Sequence, residues 1–159
     1  MLQMIFSYEY LWIQIRVKGG AYGCMCSFSD QGDSMFVTYR DPNLSESYKV
    51  YDEAADYVVD FDADDRDMKK YIIGTIGSMD MPMEAVDMGA RSFHAYFLGK
   101  TEADLQKVRD QVLSCTQEDI RALAPIVKAV VEAGNRCCIG NEEKIDQNKE
   151  YFDEVKHVL

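Results

Sequence analysis

The apolar positions change period near Pro42, which divides the chain into a short start that includes strands and a long helical remainder. Residues 8–17 carry Leu11, Ile13, Ile15 and Val17 with Tyr8 and Trp12, a mixture of 3.6- and 2-residue spacings that predicts a helix stopped by Gly19-Gly20. Residues 21–29 and 34–40 alternate, and between them lies Asp30-Gln31-Gly32-Asp33, whose glycine suits the positive φ of a hairpin loop. This predicts a β-hairpin. Asp41-Pro42-Asn43 closes it, because proline lacks the N–H a ladder needs and biases its predecessor toward extended geometry.

After Pro42 the spacing stays near 3.6. Leu44, Tyr48, Tyr51, Ala55 and Val58 or Val59 form one stripe; Met68, Tyr71, Ile72 and Ile76 form the next, behind Asp64 and Asp65, whose carboxylates suit the positive start of a helix. A third helix is expected over residues 82–98, with Asp80 as cap, Pro82 in the first turn and Gly99 as stop. Thr101 with Asp104, and Thr116 with Asp119, are acidic relatives of the capping box, so helices start at both, the second running to Gly134. Residues 136–139 form a short strand candidate. Asn141 opens a last amphipathic helix with Ile145, Tyr151 or Phe152, and Val155. The expected fold is α+β: a short antiparallel sheet, the hairpin plus a C-terminal strand, packed against six or seven helices in a single domain over residues 1–159. Three strands are few for so many helices, so further sheet-forming residues are expected upstream of Met1.

Composition narrows the function. Of 159 residues, 47% are hydrophobic and 28% charged, a globular balance, while 28 acidic against 17 basic residues leave a net charge of −11. Such a field disfavours phosphate backbones and anionic lipid, so neither nucleic acid nor membrane is an expected partner. No window holds the 18 or more consecutive apolar residues of a membrane span. Five cysteines, Cys24, Cys26, Cys115, Cys137 and Cys138, fit no regular disulfide framework and predict free thiols in a reducing, cytoplasmic setting.

Several groups of residues invite a chemical reading. Asp60-x-Asp62-x-Asp64 matches the opening of a calcium loop, but Asp65 stands where the glycine belongs and Tyr71 where the closing glutamate belongs, so a solvated turn and helix cap is the better reading. The cysteine pairs lack the Cys-x₂₋₄-Cys knuckles of a zinc site and read as small hydrophobes. His94 and His157 stand 63 residues apart and form no histidine pair of the kind a usual histidine-based zinc site needs; His94, among Phe93, Tyr96 and Phe97, reads as partly buried. What stands out is Arg16-Val17-Lys18-Gly19-Gly20-Ala21-Tyr22-Gly23, where three glycines in five residues let another backbone approach closely between a guanidinium fork and a phenol. The same octapeptide also reads simply as a helix stop entering a hairpin.

That octapeptide, with Tyr10-Leu11-Trp12 before it, Tyr39-Arg40-Asp41-Pro42-Asn43-Leu44 and Lys70-Tyr71-Ile72-Ile73-Gly74-Thr75-Ile76 after it, and Ile139-Gly140-Asn141-Glu142-Glu143-Lys144-Ile145 near the end, resembles the C-terminal half of insulinase-type (pitrilysin-like) zinc metallopeptidases, in their presequence-protease branch. The resemblance covers about residues 10–152. It implies two α+β halves that close around an unstructured peptide, the N-terminal half binding zinc through an inverted His-x-x-Glu-His motif and a further Glu. That motif is absent from this sequence. Zinc is therefore expected on a missing N-terminal half, which would be this chain's partner, and the chain alone is expected to be an inactive C-terminal fragment of the degenerate half. The resemblance further implies that Arg16 holds the substrate backbone, that Gly19 and Gly20 let that backbone approach, and that Tyr22 donates its hydroxyl to the oxyanion. The alternative is a stand-alone, non-catalytic peptide-binding or partner module of the same fold; a calcium-responsive interaction domain is a third.

Overall fold

A computed structural model describes residues 1–29 and 31–157; Asp30 of the expected loop and the last two residues lie outside the description. The fold is α+β, and the chain divides into two compact units, one of Leu2–Asp60 with residues from Arg121 onward, the other of Phe61–Ile120 with Met1.

In the first unit the chain is helical well before Tyr8. An α turn, α1 (Leu2–Ile5), runs into π-helical segments Phe6–Tyr10 and Trp12–Lys18. The Leu11 N–H reaches back five residues to the Phe6 carbonyl, and Gly19 does the same to Gln14. This widening resolves the mixed period of the sequence. Phe6, Tyr10, Leu11 and Ile15 are buried at steps of one, four and five, while Tyr8, Ile13 and Val17 face outward. The hairpin follows as β1 (Gly23–Phe28) and β2 (Ser34–Tyr39), antiparallel with Cys24 opposite Thr38 and Cys26 opposite Phe36. Gly32 takes φ +95°, as the loop requires.

Phe6 is the hub. Its ring lies 5.7 Å from Tyr10, 5.9 Å from Phe28, 5.5 Å from Phe36 and 6.0 Å from Tyr57, and Tyr10 stacks on Tyr57 at 4.5 Å. α2 (Leu44–Asp52) supports this cluster, the Tyr10 hydroxyl donating to the Val50 carbonyl. α3 (Ala54–Val59) buries Ala54 and Val58 and packs on a later helix bearing buried Ala124 and Val127.

The second unit holds α4 (Asp65–Met79), α5 (Ala85–Phe97) and α6 (Glu102–Leu113), and the chain leaves it through α7 (Gln117–Arg121). Asp64 caps α4 by accepting from the Asp67 N–H, the helix-cap role read from the sequence. α4 and α6 pack together, and Arg109 grips Asp80 with both carboxylate oxygens accepting from one guanidinium nitrogen. Gln117 bridges to Ala63 through both its amide groups. Thr101 and Asp104 form a full capping box, and Thr116 and Asp119 repeat its bonds. Gly99 ends α5 at φ +65°, as expected. No residue of α5 is buried, so His94 is exposed rather than partly buried.

Four further expectations need correction. Asp80 does not cap the third helix: it closes α4, and the segment around Pro82 stays non-helical because Met81, preceding a proline, is driven out of the α region. The helix opened at Thr116 does not run unbroken to Gly134; Pro125 restarts it as α8 (Ala124–Glu132). Residues 136–139 form no strand, and among the described residues the sheet has two strands. Arg136 is instead anchored by its side chain, paired with Asp52 at 3.0 Å and placed over the Tyr48 and Tyr151 rings at 5.1 and 5.3 Å, while Ile139 stays exposed. The last helix, α9 (Glu142–Asp146), starts at Asn141 as read, but Asn148 donates to the Lys144 carbonyl and the chain turns so that Tyr151 and Phe152 meet Tyr48. Among the described residues no helix is long and apolar enough to cross a membrane.

Candidate functional site

The octapeptide singled out in the sequence forms the corner between the widened helix and β1, and its shape follows from the helix ending. Because the last turns are under-wound, the Ala21 N–H reaches the Ile15 carbonyl and the Gly20 N–H reaches Arg16. A Cβ on Gly19 would stand 2.6 Å from the Ile15 carbonyl oxygen, so only glycine closes this turn undisturbed. Gly20 has φ +77°, the left-handed region that glycine enters freely.

The corner is fastened from its other side by the end of β2. Asp41 accepts from the Asn43 N–H with one oxygen and from the Ser47 hydroxyl with the other, and the Asn43 amide donates to the Gly19 carbonyl. The Tyr22 N–H donates to the Arg40 carbonyl at 3.3 Å. Gly19, Ala21 and Tyr22 are thus held by three different partners before any ligand arrives.

Two reactive groups emerge from this frame. Tyr22 is 64% exposed, meets the Tyr39 ring edge-to-face at 5.9 Å, and its hydroxyl has no hydrogen bond among the described residues. Arg16, in the last turn of the π-helical segment, lies 3.9 Å from the centroid of the Trp12 ring and pairs with no carboxylate among the described residues. A free phenol and a free guanidinium can donate to carbonyl or carboxylate oxygens of an extended backbone, and Gly19 and Gly20 offer no side chain to obstruct it. Arg40, Tyr39 and Trp12 complete the surround. All three lie within the resembling stretches, but neither a ring stacked on a cation nor a left-handed arginine has a spacing signature that would mark it in the sequence.

Beneath this surface the hairpin turns Cys24, Cys26, Phe28, Phe36 and Thr38 inward, toward Phe6 and Tyr51. Burial pushes the Cys26 thiol up to about 11 against the opposing effect of the Ser7 hydroxyl, and burial raises Cys24 against the nearby Arg16 charge. All five cysteines are free thiols. Cys26 is a buried small hydrophobe, whereas Cys137 is exposed and the others are half-buried.

Metal chemistry finds no donors here. Among the described residues no three His, Cys, Asp or Glu side chains gather to hold a metal ion; His157 faces Glu142 at 3.6 Å and His94 lies alone on exposed α5. The described residues do not fit a zinc site.

The sequence profile of the PreP C-terminal domain matches residues 1–141. The chain is 40% identical over its whole length to Protein HypA of Clostridium perfringens, covering 16% of that protein. It is 34% identical over 96% of its length to presequence protease 1, chloroplastic/mitochondrial, of Arabidopsis thaliana, covering 14% of it, and 34% identical over 90% to the mitochondrial presequence protease of Aspergillus fumigatus, covering 13%. The chain therefore spans about a seventh of the length of these relatives.

Proposed function

This chain belongs to the PreP C-terminal domain family, and from that premise we propose that it is the non-metal portion of a zinc-dependent endopeptidase that degrades unstructured peptides in a closed chamber. On this reading the zinc and its general base come from an N-terminal half carried on the same polypeptide, and the 159 residues alone do not cleave peptides. The observation that carries the reading is the stapled corner, which presents beside Gly19 and Gly20 an Arg16 without a carboxylate partner and a Tyr22 hydroxyl without a hydrogen bond among the described residues. An extended substrate lies across the two glycines, Arg16 donates to its backbone carbonyls, and the Tyr22 hydroxyl donates to the oxyanion formed when water attacks the scissile carbonyl. A reducing, cytoplasmic location accords with the five free thiols.

Steady-state kinetics on an unstructured peptide, in the full-length polypeptide, test the roles separately. Tyr22→Phe deletes only a hydroxyl used in the transition state, so kcat falls roughly 10²–10³-fold with little change in KM. Arg16→Lys raises KM, because an ammonium cannot reproduce planar two-point donation. Wild-type kinetics in Tyr22→Phe would contradict the oxyanion role and leave the corner as a helix stop.

A further inference from the structure

Arg40 is the one non-glycine residue with positive φ among the described residues, at +49°, a region that side chains bearing a Cβ avoid unless their surroundings impose it. The surroundings here do impose it. Asp41 and Asn43 fix the turn that follows, with Asn43 tied to Gly19 and Asp41 to Ser47, and the Arg40 carbonyl accepts from Tyr22. The left-handed backbone brings the guanidinium over two rings at once, 5.3 Å from the Tyr39 centroid and 5.7 Å from that of Tyr22, which are themselves edge-to-face. Arg40 is exposed and pairs with no carboxylate among the described residues.

We propose that Arg40 is a positioning residue for Tyr22: its carbonyl fixes the Tyr22 backbone and its guanidinium, braced on Tyr39, fixes the Tyr22 ring. The proposal rests on the reading of Tyr22 as the oxyanion donor. Tyr22 needs such a grip because its hydroxyl is free and nearly two thirds of its surface is open, so its ring would otherwise sample several rotamers. A cation over the ring also draws electron density from the phenol and strengthens its O–H as a donor. Arg40 touches neither substrate nor reacting atoms and acts only through Tyr22.

Four variants of the full-length polypeptide test this on an unstructured peptide: Arg40→Asn, Arg40→Lys, Tyr22→Phe and the Tyr22→Phe/Arg40→Asn double. Asparagine tolerates the left-handed backbone and removes only the cation, so folding is preserved. Arg40→Asn lowers kcat roughly 3–10-fold with KM unchanged, and Arg40→Lys recovers most of the loss. In the double variant Arg40→Asn costs nothing beyond Tyr22→Phe, because the hydroxyl it positions is gone. A readout independent of turnover is the fluorine NMR resonance of 3-fluorotyrosine at position 22, which shifts in Arg40→Asn as the ring loses its cation. An unmoved resonance, a raised KM, or multiplying losses in the double variant would each overturn the positioning role, even if Tyr22→Phe itself is impaired. Wild-type kcat in Tyr22→Phe would instead remove the oxyanion reading, and the positioning role with it.

Discussion

Phe6 and Phe93 are the same residue in two units built on different principles. Phe6 is fully buried at the centre of an aromatic cluster drawn from the widened helix, both strands and Tyr57. Phe93 is 67% exposed on α5, a helix with no buried residue, and its ring meets that of Phe97 within its own helix at 4.6 Å. The first unit is specified by long-range packing, and the second adds to its buried Met68, Tyr71 and Val112 a set of local devices: capping boxes at Thr101 and Thr116 and the Asp64 cap. The candidate site is in the unit that packing specifies. On the proposed function the corner holds a phenol for a transition state, which needs surroundings that do not yield, and local caps alone do not provide them.

The widest separation between the two units comes from truncating these two rings. Phe6→Ala removes the hub and costs about 3–5 kcal/mol by denaturant unfolding, whereas Phe93→Ala costs less than about 0.5 kcal/mol. Similar losses at both sites would break the contrast. A smaller effect isolates the hairpin's buried face. The Cys26 thiol, raised by burial from 9.0 to about 11, must be neutral in the folded state, so its contribution is complete below pH 9 and fades as pH rises to 11. Cys26→Ala therefore flattens the fall in stability over that window by ~1 kcal/mol, and an unchanged slope would assign the alkaline loss to the buried tyrosines instead. Smaller again is the local device: Thr101→Ala costs ~0.5 kcal/mol by removing one hydroxyl from an exposed capping box, an effect confined to α6 and readable as fraying by amide exchange.

These units also differ in how far the sequence exposes them. Capping boxes, the Gly99 and Gly134 stops and the Asp64 cap are local chemistry at fixed spacing, and all were readable. So was the hairpin, because Gly32 sits in the loop between its strands and Pro42 follows the second. The failures lie where a distant partner decides. Residues 136–139 look strand-like, but Arg136 is claimed by Asp52, Tyr48 and Tyr151, and no ladder forms. The π winding of Phe6–Tyr10 and Trp12–Lys18 is fixed by where Phe6, Leu11 and Ile15 must point, which the spacing hinted at only as a blurred period. In the site, Arg16, Gly19, Gly20 and Tyr22 were legible as a contiguous motif. Arg40 was not, since its left-handed backbone depends on Asp41 and Asn43 closing a turn against Gly19.

Amide hydrogen exchange at Ala21 and Tyr22 tests most directly whether the corner is built in advance. Both amides are donors to fixed backbone carbonyls, Ile15 and Arg40, so they are expected to exchange as slowly as the amides around buried Ser47 and Tyr48 in α2, and far more slowly than the exposed linker at Met81 and Met83. Exchange of the Ala21 and Tyr22 amides at the rate of that linker would contradict the account, because the corner would then take its shape only when a ligand imposes it.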